Sequence, residues 1–351
     1  MHRSILAFRL LALALAALAA GCRKSAVLTG EAGFLKGQLH LHSNNSGDSN
    51  TPPADVVRWY DTHGYDFIVF TDHERVTAPP STPSMLVIPG AELTQNLERC
   101  DPPPPAGAWC LLHVNALFVT PPASGAIPWR PAEGVDRLGR YRRALAATRT
   151  MGGLAQLNHP NFDYSADAKL VTTLAREGLA LLEIANEASD SNNVPADPSH
   201  QSTEGIWDAA LTSGATVFGT ATDDAHHYDD AAAASARGEQ VFTGDRGFVM
   251  VRARKHPSAI RDALTRGDFY ASTGVLLKRL ERTAATLEVE VSDRSPGAHR
   301  IVLVGAGGRV LAESEGRHAS FALAAGHGGY LRVVVSDDRG RKAWTQPERL
   351  P

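Results

Sequence analysis

Residues 37–74 read GQLHLHSNNSGDSNTPPADVVRWYDTHGYDFIVFTDHE. Their apolar pattern predicts a strand, a helix and a second strand, over 35–41, Ala54–His63 and Asp66–Thr71. His40 and His42 are two residues apart at the end of the first strand, so both imidazoles point to the same side. The order of elements indicates an α/β fold that carries histidines at the end of its first strand.

The alternation of strands and helices continues along the chain. Further strands are predicted over 86–93, 111–120, 153–158, 179–185 and 215–222, and helices over 136–151, 168–177 and 203–213. From about Arg282 the sequence changes to short alternating segments separated by Gly-rich turns, such as TLEVEVSD and HRIVLVGAGG. We therefore expect a parallel-sheet or barrel α/β domain over 35–281, followed by a small β-sandwich over 282–351.

The composition suits a globular protein. The 351 residues are 43% hydrophobic and 21% charged, with 35 basic and 38 acidic side chains and a net charge of −3. Removing residues 1–21 would take away Arg3 and Arg9 and no acid, which gives 33 − 38 = −5. A mildly acidic surface disfavours nucleic acid as a partner. The sequence indicates no protein partner.

The N-terminus is typical of export. Basic residues precede the apolar run Leu10–Ala20, which is too short to span a bilayer, so 1–21 is expected to be a signal peptide. The ending LAAGC resembles a bacterial lipobox, which implies acyl chains on Cys22, a tether over 22–34 and attachment to a membrane. An ordinary signal peptide with an incidental cysteine is the alternative. Arg23 after the cysteine favours an outer membrane, so we expect an exported bacterial lipoprotein at the periplasmic face of a membrane or the cell surface.

Two further cysteines, Cys100 and Cys110, flank the loop DPPPPAGAW. In an oxidising compartment, a pair that brackets a proline-rich loop favours a disulfide over two free thiols.

Histidines and carboxylates are concentrated on or after the predicted strands. The set consists of His40, His42, His73, Glu92, His113, His159, Asp224 and His226. Strand ends converge where barrel enzymes keep their active sites, and mixed nitrogen and oxygen ligands suit zinc, manganese or iron. We expect structural roles for six other histidines: His63, His200, His256, His299, His318 and His327.

These motifs resemble those of the PHP (polymerase and histidinol phosphatase) superfamily. Residues 37–74 are similar to its first motif, and GAE at 90–92, the His113 strand, NHP at 158–160 and DDAH at 223–226 are similar to later motifs in order. Within the superfamily the chain is most similar to the exported carbaryl-hydrolase-like (CehA/McbA) branch, through HVNALFV, TDDAHH, RGDFYASTG and AWTQP. The resemblance implies a distorted, TIM-like (β/α)₇ barrel with up to three divalent metal ions.

The resemblance also implies a ligand set. His40, His42, Glu92 and Asp224 would hold one metal, Glu92 would bridge to a second held by His113 and His159, and Asp48, His73 and His226 would hold a third. Glu92, Asp224 and His226 are expected to be catalytic. Asp224 is preferred to Asp223 because it sets the D-x-H spacing to His226. Asp72 and His227 are expected to support the ligands.

A metal-activated water is the expected nucleophile, because metals lower the pKa of bound water toward neutrality. The chain has no G-x-S-x-G elbow and no Walker loop. The resemblance favours a phosphoesterase with a small-molecule substrate. One alternative is a carbamate, carboxyl ester or amide hydrolase. Another is a non-catalytic metal- or glycan-binding lipoprotein. The loops expected at the active-site mouth are poor in basic residues: 187–203 has none and 94–110 has only Arg99.

Overall fold

The computed structural model describes residues 33–122, 127–130, 136–283, 285–323 and 329–349. The expected signal peptide, Cys22, most of the tether and His327 lie outside the described residues. Within the described ranges, no helix is long and apolar enough to cross a bilayer.

The described residues form six α-helices and eighteen strands. The helices are α1 (Pro53–Thr62), α2 (Arg137–Thr150), α3 (Ala168–Arg176), α4 (Thr203–Thr212), α5 (Ala231–Ala236) and α6 (Pro257–Arg266). The strands up to residue 251 are β1 (Leu35–Gln38), β2 (Phe67–Val69), β3 (Leu86–Ile88), β4 (Gly90–Leu97), β5 (Cys110–Leu117), β6 (Leu154–Leu157), β7 (Leu181–Asn186), β8 (Phe218–Thr222) and β9 (Phe248–Val251). The later strands are β10 (Phe269–Ser272), β11 (Leu277–Arg282), β12 (Thr286–Val291), β13 (His299–Gly305), β14 (Arg309–Glu315), β15 (His318–Ala322), β16 (Tyr330–Asp337), β17 (Lys342–Thr345) and β18 (Glu348–Arg349).

The predicted strand over 86–93 is divided in the structure. β3 pairs in parallel with β2, whereas β4 pairs antiparallel with β5 in another sheet. Pro89 lies between them and has no N–H to donate to a ladder. Gly90 follows at a close approach, where a Cβ atom would lie 2.5 Å from the carbonyl oxygen of Phe70. Glu92 therefore lies near the start of a strand, and the prediction that it ends one was wrong.

The α/β domain contains two sheets. β4 to β8 form a five-stranded sheet in chain order, antiparallel from β4 to β6 and parallel from β6 to β8. β1, β2 and β3 pair in parallel at the end of a ten-stranded sheet. Three isolated bridges, Leu41 to Ala225, His73 to Glu92 and Thr77 to Gly90, link the two sheets. The α/β class is as predicted, but within the described ranges the strands form no continuous closed barrel, because these links are single residue pairs.

The C-terminal strands continue this ten-stranded sheet. Its order is β14-β13-β16-β17-β10-β9-β1-β2-β3, with β18 paired to β16, and β11, β12 and β15 form a separate three-stranded sheet. Leu287 and Val289 of β12 share a hydrophobic core with Ile301 and Leu303 of β13, so the two sheets pack as layers. The larger layer extends into the α/β domain through β17 and β10. A separate C-terminal sandwich is therefore not confirmed, and the boundary at 281 stays a prediction.

A buried ion pair joins α4 to the C-terminal strands. The guanidinium of Arg332, which is 1% exposed, donates to the two oxygens of Asp208 at 2.9 and 2.7 Å and to Glu204 at 2.8 Å. The hydroxyl of Tyr330 also donates to Asp208, at 2.6 Å. Breaking such a pair leaves an uncompensated buried charge, so this contact ties the segments together.

The predicted disulfide is confirmed. Cys100 and Cys110 are bonded, with Cα atoms 6.2 Å apart. The bond closes the 101–109 loop at the start of β5, and the loop contacts the segment after His159, because the backbone N–H of Trp109 donates to Asp163 at 2.7 Å. The disulfide therefore anchors a loop that packs beside a predicted metal ligand.

We predict that replacing both cysteines by alanine loosens this loop and leaves the sheets intact. Removing a disulfide typically costs about 2–4 kcal/mol of unfolding free energy. Hydrogen exchange should become faster over 98–111 and 161–165 and stay unchanged in β1 and β2. Equal acceleration in β1 and β2, or none in the loop, would contradict the prediction. The alanine variant is preferred to a thiol reductant because thiols also bind metals.

Candidate metal centre

The strands bring the nine predicted ligands together. His40 and His42 follow β1, Asp48 lies in the next loop, His73 follows β2, Glu92 is in β4, His113 is in β5, His159 follows β6, and Asp224 and His226 follow β8. Each of these side chains comes within 4.0 Å of another member of the set. The sequence positions are far apart, so the convergence comes from the tertiary fold.

The ligand atoms fall into three groups. The groups are His40, His42 and Asp224 (group 1), Glu92, His113 and His159 (group 2), and His42, Asp48, His73 and His226 (group 3), with the ligand atoms of each within 4.8 Å of one another. Group 2 has the membership that the resemblance implies. Group 1 lacks Glu92, and group 3 gains His42, whose Nε2 also lies 3.1 Å from Asp224.

The carboxylate of Glu92 lies between the groups and is 1% exposed. Its Oε1 is 3.0 Å from His113 Nδ1, 3.5 Å from His40 Nε2 and 3.7 Å from His159 Nε2, and its Oε2 is 2.9 Å from His73 Nδ1 and 3.5 Å from His42 Nε2. Five imidazoles from five chain positions therefore surround one carboxylate.

Unpaired buried atoms show that these residues fit bound cations. Nε2 of His40 and Nδ1 of His159 are buried without a hydrogen-bond partner among the described residues. Burying such polar atoms is costly unless a partner compensates for the lost water. Imidazole nitrogens and carboxylate oxygens are the ligands that zinc and related divalent metals take in proteins.

The groups differ in their access to solvent. The side chains of His40 and His42 are fully buried, whereas those of Asp48, His73 and His226 are 43%, 23% and 13% exposed. Group 3 is therefore the open side of the centre, where a substrate would enter.

Burial and neighbouring charges shift the pKa values of the site groups in both directions. Burial opposes the charge of Glu92, but the neighbouring histidines, led by His73 and His40, hold its pKa well below the usual range. Burial and the nearby His226 lower the pKa of His42 to about 4, which keeps that imidazole neutral. Burial alone would lower the pKa of His73, but Glu92 and Asp48 raise it to about 11. Metal binding requires ionised carboxylates and neutral imidazoles, so a cation would displace the proton from His73.

Two site residues have unusual backbone conformations. Asp224 has φ 51° and His159 has φ 23°, both in the left-handed region that non-glycine residues rarely adopt. Such strain costs roughly 1–3 kcal/mol and persists where surrounding structure imposes it. The backbone N–H of Asp224 donates to the carbonyl of His40 at 3.0 Å, which holds the turn.

The neighbouring acid, Asp223, has a different role. It accepts hydrogen bonds from Tyr60 at 2.9 Å, from Gln38 and from the backbone N–H groups of 245–247. Burial raises its pKa to about 6. Asp223 therefore fixes a loop, whereas Asp224 lies in group 1.

The two predicted supporting residues lie to the side of the cluster. Asp72 accepts hydrogen bonds from Ser43 and Thr77, and Nδ1 of His227 accepts one from the N–H of Phe242. Within the described part of the chain, neither side chain forms a hydrogen bond or ion pair with a predicted ligand. The histidines assigned structural roles, where described, belong to none of the three groups; His63 stacks on Trp59 and His200 on Tyr164.

The sequence reasoning missed several polar residues that hold the ligands. Glu183 contacts His40 Nδ1 at 2.7 Å, Asn158 donates to Glu92 at 2.8 Å, and Asn96 contacts His113 Nε2 at 2.7 Å. Asn186 donates to Asp224 at 3.1 Å. The sequence could have indicated Glu183 and Asn186, because an acid and an amide are unusual in an apolar strand such as LLEIAN unless they have buried partners.

Comparisons with known proteins give little further help. No protein-family model and no curated protein matches the chain. One matching solved structure is a two-domain protein from Bacteroides vulgatus containing a predicted PHP-like metal-dependent phosphoesterase. It is 20% identical, and the match covers 92% of this chain and 98% of that one with a TM-score of 0.45. This likeness is too distant to support an assignment, so the function is argued from the site.

We predict that Glu92→Ala lowers both metal content and turnover, because it removes the carboxylate that faces imidazoles of all three groups. Turnover should fall by more than the factor of roughly 10–100 typical of residues that only support ligands. Asp48→Ala should be milder, about tenfold, because it affects group 3 alone. Elemental analysis of metals per chain, together with steady-state rates, measures both effects.

His299→Ala serves as the control, since it removes a buried histidine outside the three groups. Full metal content in Glu92→Ala would rule out the bridging role. His40→Ala would then show whether the cluster binds metal at all.

Proposed function

We propose that this protein is a metal-dependent hydrolase of the PHP superfamily that acts on phosphoesters. The observation that carries the proposal is the position of the Glu92 carboxylate, which faces imidazoles of all three candidate metal groups. A carboxylate in this position can bridge two cations, an arrangement that suits hydrolysis by an activated water. The order of the motifs in the sequence supports the same superfamily.

The buried and the partly exposed residues of the centre would have different roles. When bound, divalent ions supply an activated water and stabilise the charge that develops on the substrate. Groups 1 and 2 would hold ions in the buried part, where Glu92 keeps them close together. Asp48, His73 and His226 would hold the ion at the open side and orient the substrate there. Because Glu92 and Asp224 are almost fully buried, bulk water is excluded from the inner part of the centre.

A second candidate is a carbamate, carboxyl ester or amide hydrolase of the CehA/McbA type. It is favoured by the partners of the site carboxylates: in the described chain, Asp48, Glu92 and Asp224 form ion pairs with histidines and with no lysine or arginine. Phosphate sites commonly use arginine or lysine. The metals alone would then have to balance a phosphate charge, whereas an uncharged carbonyl makes no such demand.

We also propose that the protein is exported and anchored through Cys22. The signal-like N-terminus and the lipobox resemblance support this location. The Cys100–Cys110 disulfide is consistent with it, because such bonds form and persist in oxidising compartments.

We predict that purified protein hydrolyses an aryl phosphomonoester or phosphodiester and loses this activity on chelation. Adding back zinc, manganese or iron should restore it. The assay compares aryl phosphomonoester, phosphodiester, carbamate and carboxyl ester on the same preparation, with Glu92→Ala as the inactive control. Turnover of the carbamate or carboxyl ester alone would favour the second candidate. Bound metal with no turnover of any substrate would favour a metal-binding or glycan-binding lipoprotein.

A further inference from the structure

Glu183 is a fully buried acid in β7 that no predicted ligand group includes. Five donors converge on its carboxylate. Oε1 accepts hydrogen bonds from His40 Nδ1 at 2.7 Å, Thr222 Oγ1 at 2.7 Å and Gln156 Nε2 at 3.2 Å. Oε2 accepts from the backbone N–H of His159 at 2.7 Å and from Asn186 Nδ2 at 2.9 Å. A carboxylate only accepts, so it satisfies all five at once.

The first consequence concerns the tautomer of His40. Because Glu183 accepts, Nδ1 of His40 must carry the proton and donate it. The lone pair is then left on Nε2, which lies 3.1 Å from Asp224 and 3.5 Å from Glu92 and has no hydrogen-bond partner among the residues that the structure describes. A carboxylate behind a histidine in this way fixes the ring and raises its basicity as a ligand.

The second consequence concerns the link between groups 1 and 2. Glu183 holds the side chain of His40 in group 1 and the strained backbone of His159 in group 2. Asn186 extends the link, because its amide donates both to Glu183 and to Oδ2 of Asp224. One buried carboxylate therefore positions ligands of two groups that lie on different strands.

We propose that Glu183 is a positioning residue that prepares groups 1 and 2 together, so that their metals are bound as one unit. The inference rests on the proposed metal centre. It predicts that a change at Glu183 weakens both buried groups, although Glu183 itself touches no metal. Group 3 has no contact with Glu183 and should keep its affinity.

The test is cobalt binding to metal-free protein, comparing the wild type with Glu183→Gln. Glutamine has nearly the same shape, but whichever way its amide turns, the NH₂ faces at least two donors. We expect about 10–100-fold weaker cobalt binding at the buried groups, the usual effect of losing a supporting carboxylate. The visible spectrum of bound cobalt should also change, since it reports ligand geometry.

Asp208→Asn is the matched control, because Asp208 is also a buried acid but pairs with Arg332 outside the centre. It should lower thermal stability and leave cobalt binding and spectrum unchanged. Wild-type cobalt affinity and spectrum in folded Glu183→Gln would overturn the proposal. So would an equal loss of affinity in Asp208→Asn, since instability would then explain the effect.

If Glu183→Gln does not fold, cobalt binding to Asn186→Ala tests the proposal instead. It removes the amide between Glu183 and Asp224 and leaves Glu183 four donors. Weaker cobalt binding in this variant supports the proposal, and unchanged binding overturns it. A wild-type protein that binds no cobalt, zinc or manganese would refute the metal centre itself, which is a different result from wild-type behaviour in Glu183→Gln.

Discussion

The buried negative charge of Glu92 is the constraint on which the rest of the centre depends. A carboxylate that is 1% exposed is tolerated only when opposite charges or donors surround it. Here the compensation comes from five imidazoles on four chain segments: those after β1, β2 and β6, and β5 itself. Each must be delivered by a backbone segment of fixed position, which explains why ligands occur at strand ends and why two of them occupy left-handed conformations.

The change of sheet between β3 and β4 places this carboxylate in the centre. If β3 continued unbroken, residues 90–97 would stay in the sheet of β1 and β2. The break at Pro89 instead lets β4 pair with β5 in the second sheet. Glu92 then pairs through a single bridge with His73 at the junction of the two sheets. The carboxylate that faces all three candidate groups is thus also on a residue that connects the two sheets.

Local patterns in the sequence were sufficient to predict the α/β class, most element positions and the side chains that converge on the candidate centre, because periodicity and motif spacing are local. The division at Pro89 could have been recognised from the missing donor. The pairing of β17 with β10 could not, since residues about 70 positions apart meet there and no local pattern encodes such a choice. The contacts of Glu183 were equally hidden: its five donors come from three other chain segments and its own strand.

The pairing of β17 with β10 also bears on solubility. β17 covers the edge of β10 with backbone hydrogen bonds in the register Tyr270 to Thr345 through Ser272 to Ala343. A chain cleaved before Lys342 would leave the backbone N–H and C=O groups of β10 without that neighbour, on a strand whose four residues are all buried. Exposed apolar edges of this kind recruit strands from other molecules. Loss of the last few residues would therefore turn the middle of the largest sheet into a template for self-association.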